Sequence, residues 1–213
     1  MTDANLTHIY FLLDRSGSMQ SIKSDTEGGF AAFVEAQKKA GGACKVTLAQ
    51  FDTLYDVVYQ GVAIAAVEPL DLQPRGMTAL LDAVGRLVTD AGTALAAKPE
   101  HERPGTVVVA IMTDGLENSS REWTHPAIKA LIEQQERDYN WQFLYMGADQ
   151  DAIEVGKSIG IAAQNSLTYG RGSVAPAMAA AASMVGDLRR ARAASPAAKL
   201  RGYTAEERAN SAD

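Results

Sequence analysis

The run Ile9-Tyr10-Phe11-Leu12-Leu13-Asp14-Arg15-Ser16-Gly17-Ser18 decides how the rest of the chain is read. Its unbroken apolar stretch fits a strand buried on both faces, the kind found in a parallel sheet covered by helices. The strand ends in an aspartate, and two serines follow at spacings of two and four. In such sheets ligand groups collect at the carboxyl ends of the strands. Asp-x-Ser-x-Ser at that point offers one anionic and two neutral oxygens within a single turn, a donor set suited to a hard divalent cation. The competing role is structural: Asp14 capping the next helix.

Further along, Thr106-Val107-Val108-Val109-Ala110-Ile111-Met112-Thr113-Asp114-Gly115 repeats the grammar of a buried strand, then aspartate, then glycine. If the two strands are parallel neighbours, Asp14 and Asp114 end on one edge of the sheet. Between them, Gly76-Met77-Thr78-Ala79-Leu80 leads into a helical pattern of Leu80, Leu81, Val84, Leu87, Val88, Ala91 and Leu95. Thr78 stands at that helix start, either as a ligand on the same edge or as an ordinary N-cap.

Together these segments resemble the von Willebrand factor type A (VWA) domain. Its metal-ion-dependent adhesion site (MIDAS) is written Asp-x-Ser-x-Ser, then a distant Thr, then a distant Asp. All five positions are present in order as Asp14, Ser16, Ser18, Thr78 and Asp114. The resemblance runs from about Leu6 to Leu167 and is to stand-alone bacterial or phage members. It implies an α/β fold with three layers, doubly wound and Rossmann-like, with a mostly parallel central sheet and one antiparallel edge strand. It further implies a bound Mg2+ (or Mn2+ or Ca2+). Ser16, Ser18 and either Thr78 or Asp114 would ligate directly, with Asp14 and the remaining residue acting through water. The implied partner is a protein presenting Asp or Glu to an open position of the metal. Glu117, Ser119 and Ser120 would then lie on the rim of the site, or simply in a solvated loop.

The composition suits that reading. Of 213 residues 46% are apolar, ample for a core. A formal charge of −6 argues against a nucleic-acid partner. The single cysteine, Cys44, is a core residue and allows no internal disulfide; with three scattered histidines it makes a zinc site improbable. No apolar run reaches membrane-spanning length and Met1 to Asn5 lacks the start of a signal sequence, so a cytoplasmic setting with no membrane partner is expected.

The resemblance implies a VWA domain over residues 1–170; the composition beyond it predicts an amphipathic helix over 171–194 packing on or extending it, and a weakly ordered tail over 195–213. Within the domain, Lys45–Phe51 and Tyr55–Gln60 form a hairpin with Asp52 as a turn residue. Gly28-Gly29 marks either a close approach of the first helix to the sheet or a frayed turn. Asp149 reads as a surface turn residue with a secondary role beside the site as the alternative. Arg189, Arg190 and Arg192 crowd the end of the last helix, expected in solvent. No enzyme is expected. A magnesium-dependent phosphatase using Asp14 would need a second acid where Ser16 stands, and the serine-hydrolase elbow is missing. A VWA fold with a purely structural metal is the other alternative.

Overall fold

Strand β1 (Asp3–Asp14) lies inside a six-stranded sheet and is covered on both faces, as its apolar run requires. The computed structural model describes residues 1–212. Side-chain alternation divides β1 between two cores, Ile9, Phe11 and Leu13 in one and Tyr10 and Leu12 in the other. The first core is completed by α1 (Lys23–Lys39) and α5 (Val174–Ala194), the second by α2 (Leu80–Ala96) and α3 (His125–Tyr139).

The other strands are β2 (Ala43–Phe51), β3 (Tyr55–Ala63), β4 (Pro104–Thr113), β5 (Gln142–Ala148) and β6 (Ser166–Tyr169). They lie in the order β3-β2-β1-β4-β5-β6. Only the β2–β3 pair is antiparallel, because a three-residue link permits nothing else. This is the expected α/β architecture, with its one antiparallel edge strand. The register sets Leu13 opposite Met112, so β1 and β4 run out at the same edge and deliver Asp14 and Asp114 there.

Two helix contacts differ from, or sharpen, the reading of the sequence. The close approach at Gly29 is to α5 and not to the sheet: a Cβ there would lie 2.9 Å from Met178 Cγ, while nothing comes within 4 Å of one at Gly28. Trp123 is a structural clamp, its indole so close to α2 that a Cβ on Gly85 would fall 2.3 Å from it. Thr124 N-caps α3 by accepting from the Ala127 N–H.

The arginines at the end of α5 depart from expectation. Only Arg190 is exposed; Arg189 and Arg192 are buried. Arg189 donates to the carbonyls of Gln37 at 2.7 Å and Gly41 at 2.5 Å, closing the end of α1. Arg192 donates to Ala198 O at 2.9 Å, Gly105 O at 3.1 Å and Asn140 O at 2.8 Å. A guanidinium carries five fixed N–H donors, and unpaired carbonyls at chain turns satisfy them, which makes this burial tolerable.

Residues 195–212 likewise differ from a weakly ordered tail. Leu200 and Tyr203 are buried, and α6 (Ala205–Ser211) packs on α5 and β6. A reciprocal capping box between Thr204 and Glu207 starts α6, and Gly170 N–H donates to Ser211 O at 2.8 Å. The segment therefore covers what would otherwise be an open edge at β6. The remaining helix, α4 (Ala152–Ser158), is capped by Asp151, whose side chain accepts from Glu154 N–H. Among the described residues no helix is long and apolar enough to cross a membrane.

Candidate metal centre

Backbone bonds fix the turn after β1 before any side chain is considered. Arg15 N–H donates to Phe51 O at 2.7 Å, Arg75 N–H to Arg15 O at 2.8 Å, and Gly17 N–H to Gly76 O at 3.3 Å. The turn is thus joined to the β2–β3 hairpin and to the loop that leads into α2. Asp14 is fully buried at its base, where Oδ1 accepts from Ser16 N–H at 2.6 Å and Oδ2 from Thr113 Oγ1 at 2.5 Å.

The other four predicted residues gather around it. Ser16 Oγ and Ser18 Oγ are 3.1 Å apart, and Ser18 Oγ donates to Asp114 Oδ1 at 2.6 Å. Thr78 is held by reciprocal bonds with Asn118: Thr78 N–H to Asn118 Oδ1 at 2.9 Å, and Asn118 N–H to Thr78 O at 3.0 Å. Gly115 shows how tightly they converge. A Cβ built on it would lie 2.9 Å from Thr78 Oγ1, 3.7 Å from Ser18 Oγ and 3.8 Å from Asp14 Oδ2. The structure therefore brings all five residues to one point at the carboxyl edge of β1 and β4.

Two features of the cluster fit a cation. Asp114 Oδ2 is buried and accepts no hydrogen bond, and Arg171 Nη2 stands 3.6 Å off, beyond hydrogen-bond length, so the oxygen still lacks a direct partner. The donor set is two carboxylates and three hydroxyls, all oxygen, which suits magnesium, manganese or calcium. No group of three or more His, Cys, Asp and Glu side chains comes together among the described residues, so softer donors are not on offer. Burial pushes the Asp14 carboxyl up to about 6 against the hydrogen bonds from Thr113 and Ser16, and Asp114 raises it further. Asp114 is raised too, first by burial, with Ser18 and Arg171 opposing.

Several supporting residues were not legible as such. Asp52, read as a turn residue, is buried and accepts from both Arg15 Nε and Arg75 Nε at 2.9 Å. Burial works against its charge, but Arg75, Leu54 N–H and Arg15 together hold its carboxyl below the ordinary range. Arg15 also pairs with Asp56. The loop after Asp114 is tied down and not merely solvated. Glu117 accepts from Leu81 N–H at 2.9 Å and Ser120 Oγ from Asp82 N–H at 3.1 Å, so this loop caps α2 and Thr78 does not. Asp82 answers by accepting the backbone N–H groups of Arg121, Glu122 and Trp123. Asp149, read as a surface turn, has a left-handed backbone (φ 48°) and pairs with Arg171, which reaches towards Asp114.

No protein-family model matches the sequence, and no curated protein matches it either. Solved structures do match in fold. Proximal thread matrix protein 1 from the mussel byssus superposes with a TM-score of 0.61 at 14% identity, over 87% of this chain and 48% of that one. Another structure of that protein is described as having a zinc-occupied MIDAS motif. A von Willebrand factor type A protein from Catenulispora acidiphila gives 0.54 at 16% identity, over 84% and 42%. The vWF domain of the type V pili tip protein Mfa5 from Porphyromonas gingivalis gives 0.59 at 12%, over 85% and 95%. The chain spans about half the length of the mussel and Catenulispora proteins. At these identities the likeness is one of architecture: the chain has the von Willebrand factor type A fold.

Proposed function

We propose that this chain is a non-enzymatic protein-binding module whose Asp14, Ser16, Ser18, Thr78 and Asp114 hold a divalent cation, Mg2+ in the first instance. The buried Asp114 Oδ2 with no hydrogen-bond donor, beside three hydroxyls and a second carboxylate, carries the reading. A cation bound there supplies an electrophilic anchor, since two carboxylates do little more than cancel its charge. Its open position then favours an Asp or Glu side chain of a partner protein over a neutral group. In a chain of charge −6 the metal is the local exception that draws an acidic ligand in. The zinc-bearing MIDAS of the mussel protein, which has the same fold, supports a divalent ion at this edge.

An enzymatic reading lacks its parts. Ser16 and Ser18 contact each other and Ser18 donates to Asp114, with no histidine bonded to either hydroxyl among the described residues. His8 is bonded to Thr47, and His101 lies beside Glu102. A phosphatase using Asp14 would have a hydroxyl, Ser16, where its general acid belongs.

The test is recovery of a partner by the immobilised chain in Mg2+ and in EDTA, with Asp114→Ala as control. A partner retained in Mg2+ and released by EDTA and by Asp114→Ala supports the module. Binding that survives chelation makes the cation structural. Magnesium-dependent phosphatase turnover lost in Asp14→Asn would establish the enzyme instead.

A further inference from the structure

Arg171 begins the short turn that joins β6 to α5, and its guanidinium lies beside the metal-site cluster. Nε donates to Asp149 Oδ2 at 2.7 Å and Nη1 to Ser21 Oγ at 3.0 Å, so the plane of the fork is held at two corners. The third corner, Nη2, lies 3.6 Å from Asp114 Oδ2, a buried carboxylate oxygen that accepts no hydrogen bond, and this gap is beyond hydrogen-bond length. The side chain stays 41% exposed, whereas that of Asp114 is sealed. A braced cation whose Nη2 makes no hydrogen bond among the described residues therefore stands beside the cluster, in a side chain that is partly exposed.

We propose that Arg171 is the second contact for the acidic ligand: a partner carboxylate places one oxygen at the cation and offers the other to Nη2 of Arg171. The inference rests on the metal reading above. Two arguments carry it. A carboxylate has two oxygens, and a single metal bond leaves one of them wanting donors; a planar guanidinium already braced by Asp149 and Ser21 supplies them with little side-chain entropy left to lose. Charge points the same way. Asp14, Asp114 and Asp149 bring three negative charges, which a divalent ion alone leaves in deficit; with Arg171 the loaded site is neutral, and an incoming carboxylate meets no net repulsion. Arg171 is thus a ligand-selecting residue and not a metal ligand. As a cation beside Asp114 it works mildly against metal binding.

The experiment uses Mn2+ as the metal and acetate as the probe, on the full chain, with Arg171→Ala, Arg171→Gln and Arg171→Lys. Free Mn2+ is followed by electron paramagnetic resonance, and acetate binding to the Mn2+-loaded protein by water-proton relaxation as metal-bound water is displaced. We expect Mn2+ affinity in Arg171→Ala to be equal to wild type or higher. Acetate affinity should fall about tenfold or more, the usual worth of a charge-assisted hydrogen bond, with Arg171→Lys intermediate. Phosphate is run in parallel; a loss confined to phosphate would overturn the carboxylate assignment. Unchanged acetate affinity in all three variants, with Mn2+ still bound, overturns the role of Arg171 and leaves the metal centre standing. Failure of wild type to bind Mn2+ overturns both. A drop in thermal stability without a change in acetate affinity would show that Arg171 is only a brace, and the Arg171→Gln variant, which retains an N–H donor, guards against mistaking misfolding for lost binding.

Discussion

Ser18 Oγ donates to Asp114 Oδ1 at 2.6 Å, across 96 positions of sequence. That bond joins the turn after β1 to the end of β4, and it exists because the parallel register brings the two strands out at one edge. It also leaves Asp114 with one oxygen engaged and the other, Oδ2, without a donor. A cation placed there would meet a carboxylate already oriented by the fold.

Gly115 is the residue whose lack of a side chain keeps the centre open. Gly115→Ala puts a methyl 2.9 Å from Thr78 Oγ1 and close to Ser18 and Asp14. Overpacking of this kind costs about 1–3 kcal/mol, so metal affinity should fall about tenfold or more. The same crowding should lower the unfolding midpoint by a matching modest amount, with or without metal. Calorimetric titration with Mg2+ checks the first and urea denaturation the second; undiminished affinity would place the metal elsewhere.

Asp52 should matter to stability far more than a turn residue does. Asp52→Ala strips the buried Arg15 guanidinium of its buried partner and leaves it only the half-exposed Asp56, a change that costs about 1–3 kcal/mol. Arg75 is more than half exposed and loses little from the same change. Urea denaturation of Asp52→Ala and Arg75→Ala should separate them clearly. Equal, small losses would mean that water reaches Arg15.

His8 gives the fold an acid-sensitive element. It is buried, stacks on Tyr10 at 4.0 Å and meets Thr47 Oγ1 at 2.8 Å through Nε2, while that oxygen also accepts from Gly61 N–H at 2.9 Å. Desolvation first, then Lys98 and Lys45, lower its pKa from 6.5 to about 3. The folded state therefore refuses a proton that the unfolded chain accepts. This contribution is present in full above pH 6.5 and is lost progressively as pH falls from there towards 3, by about 3 kcal/mol at pH 4. His8→Phe should flatten the stability profile over that window relative to wild type. Parallel profiles would show that His8 protonates in place.

The parts of this chain that could be read from sequence are those where a local pattern has one physical solution. The apolar runs of β1 and β4, each ending in an aspartate, can only be covered strands, and their crossover forces them parallel. Thr124 and Asp151 cap helices because a short side chain before an orphaned N–H does so anywhere. What stayed hidden depends on partners distant in sequence. Nothing near Arg189 signals that the carbonyls of Gln37 and Gly41 await it, and nothing near Asp52 signals Arg15 and Arg75. The segment after Ser195 reads as a weakly ordered tail, yet it is tied down by Arg201 bridging Asp187 and Glu207 and by Arg208 donating to Ser166 O. Glu117 is the same case, a charge on a loop whose work is to cap the helix that follows Thr78.

The central claim is that Asp14, Ser16, Ser18, Thr78 and Asp114 form one cation site, and thermal unfolding with and without metal tests it most directly. From an EDTA-treated baseline, Mn2+ or Mg2+ at about a hundred times its Kd should stabilise the folded chain by about 2.7 kcal/mol and raise Tm by roughly 5–10 °C. Asp14→Ala and Asp114→Ala should show no such rise, and each should stay folded without metal, since desolvation disfavours the charge that each change removes and so offsets the hydrogen bonds that are lost. No shift in the wild-type protein, or an equal shift in both variants, would contradict the account.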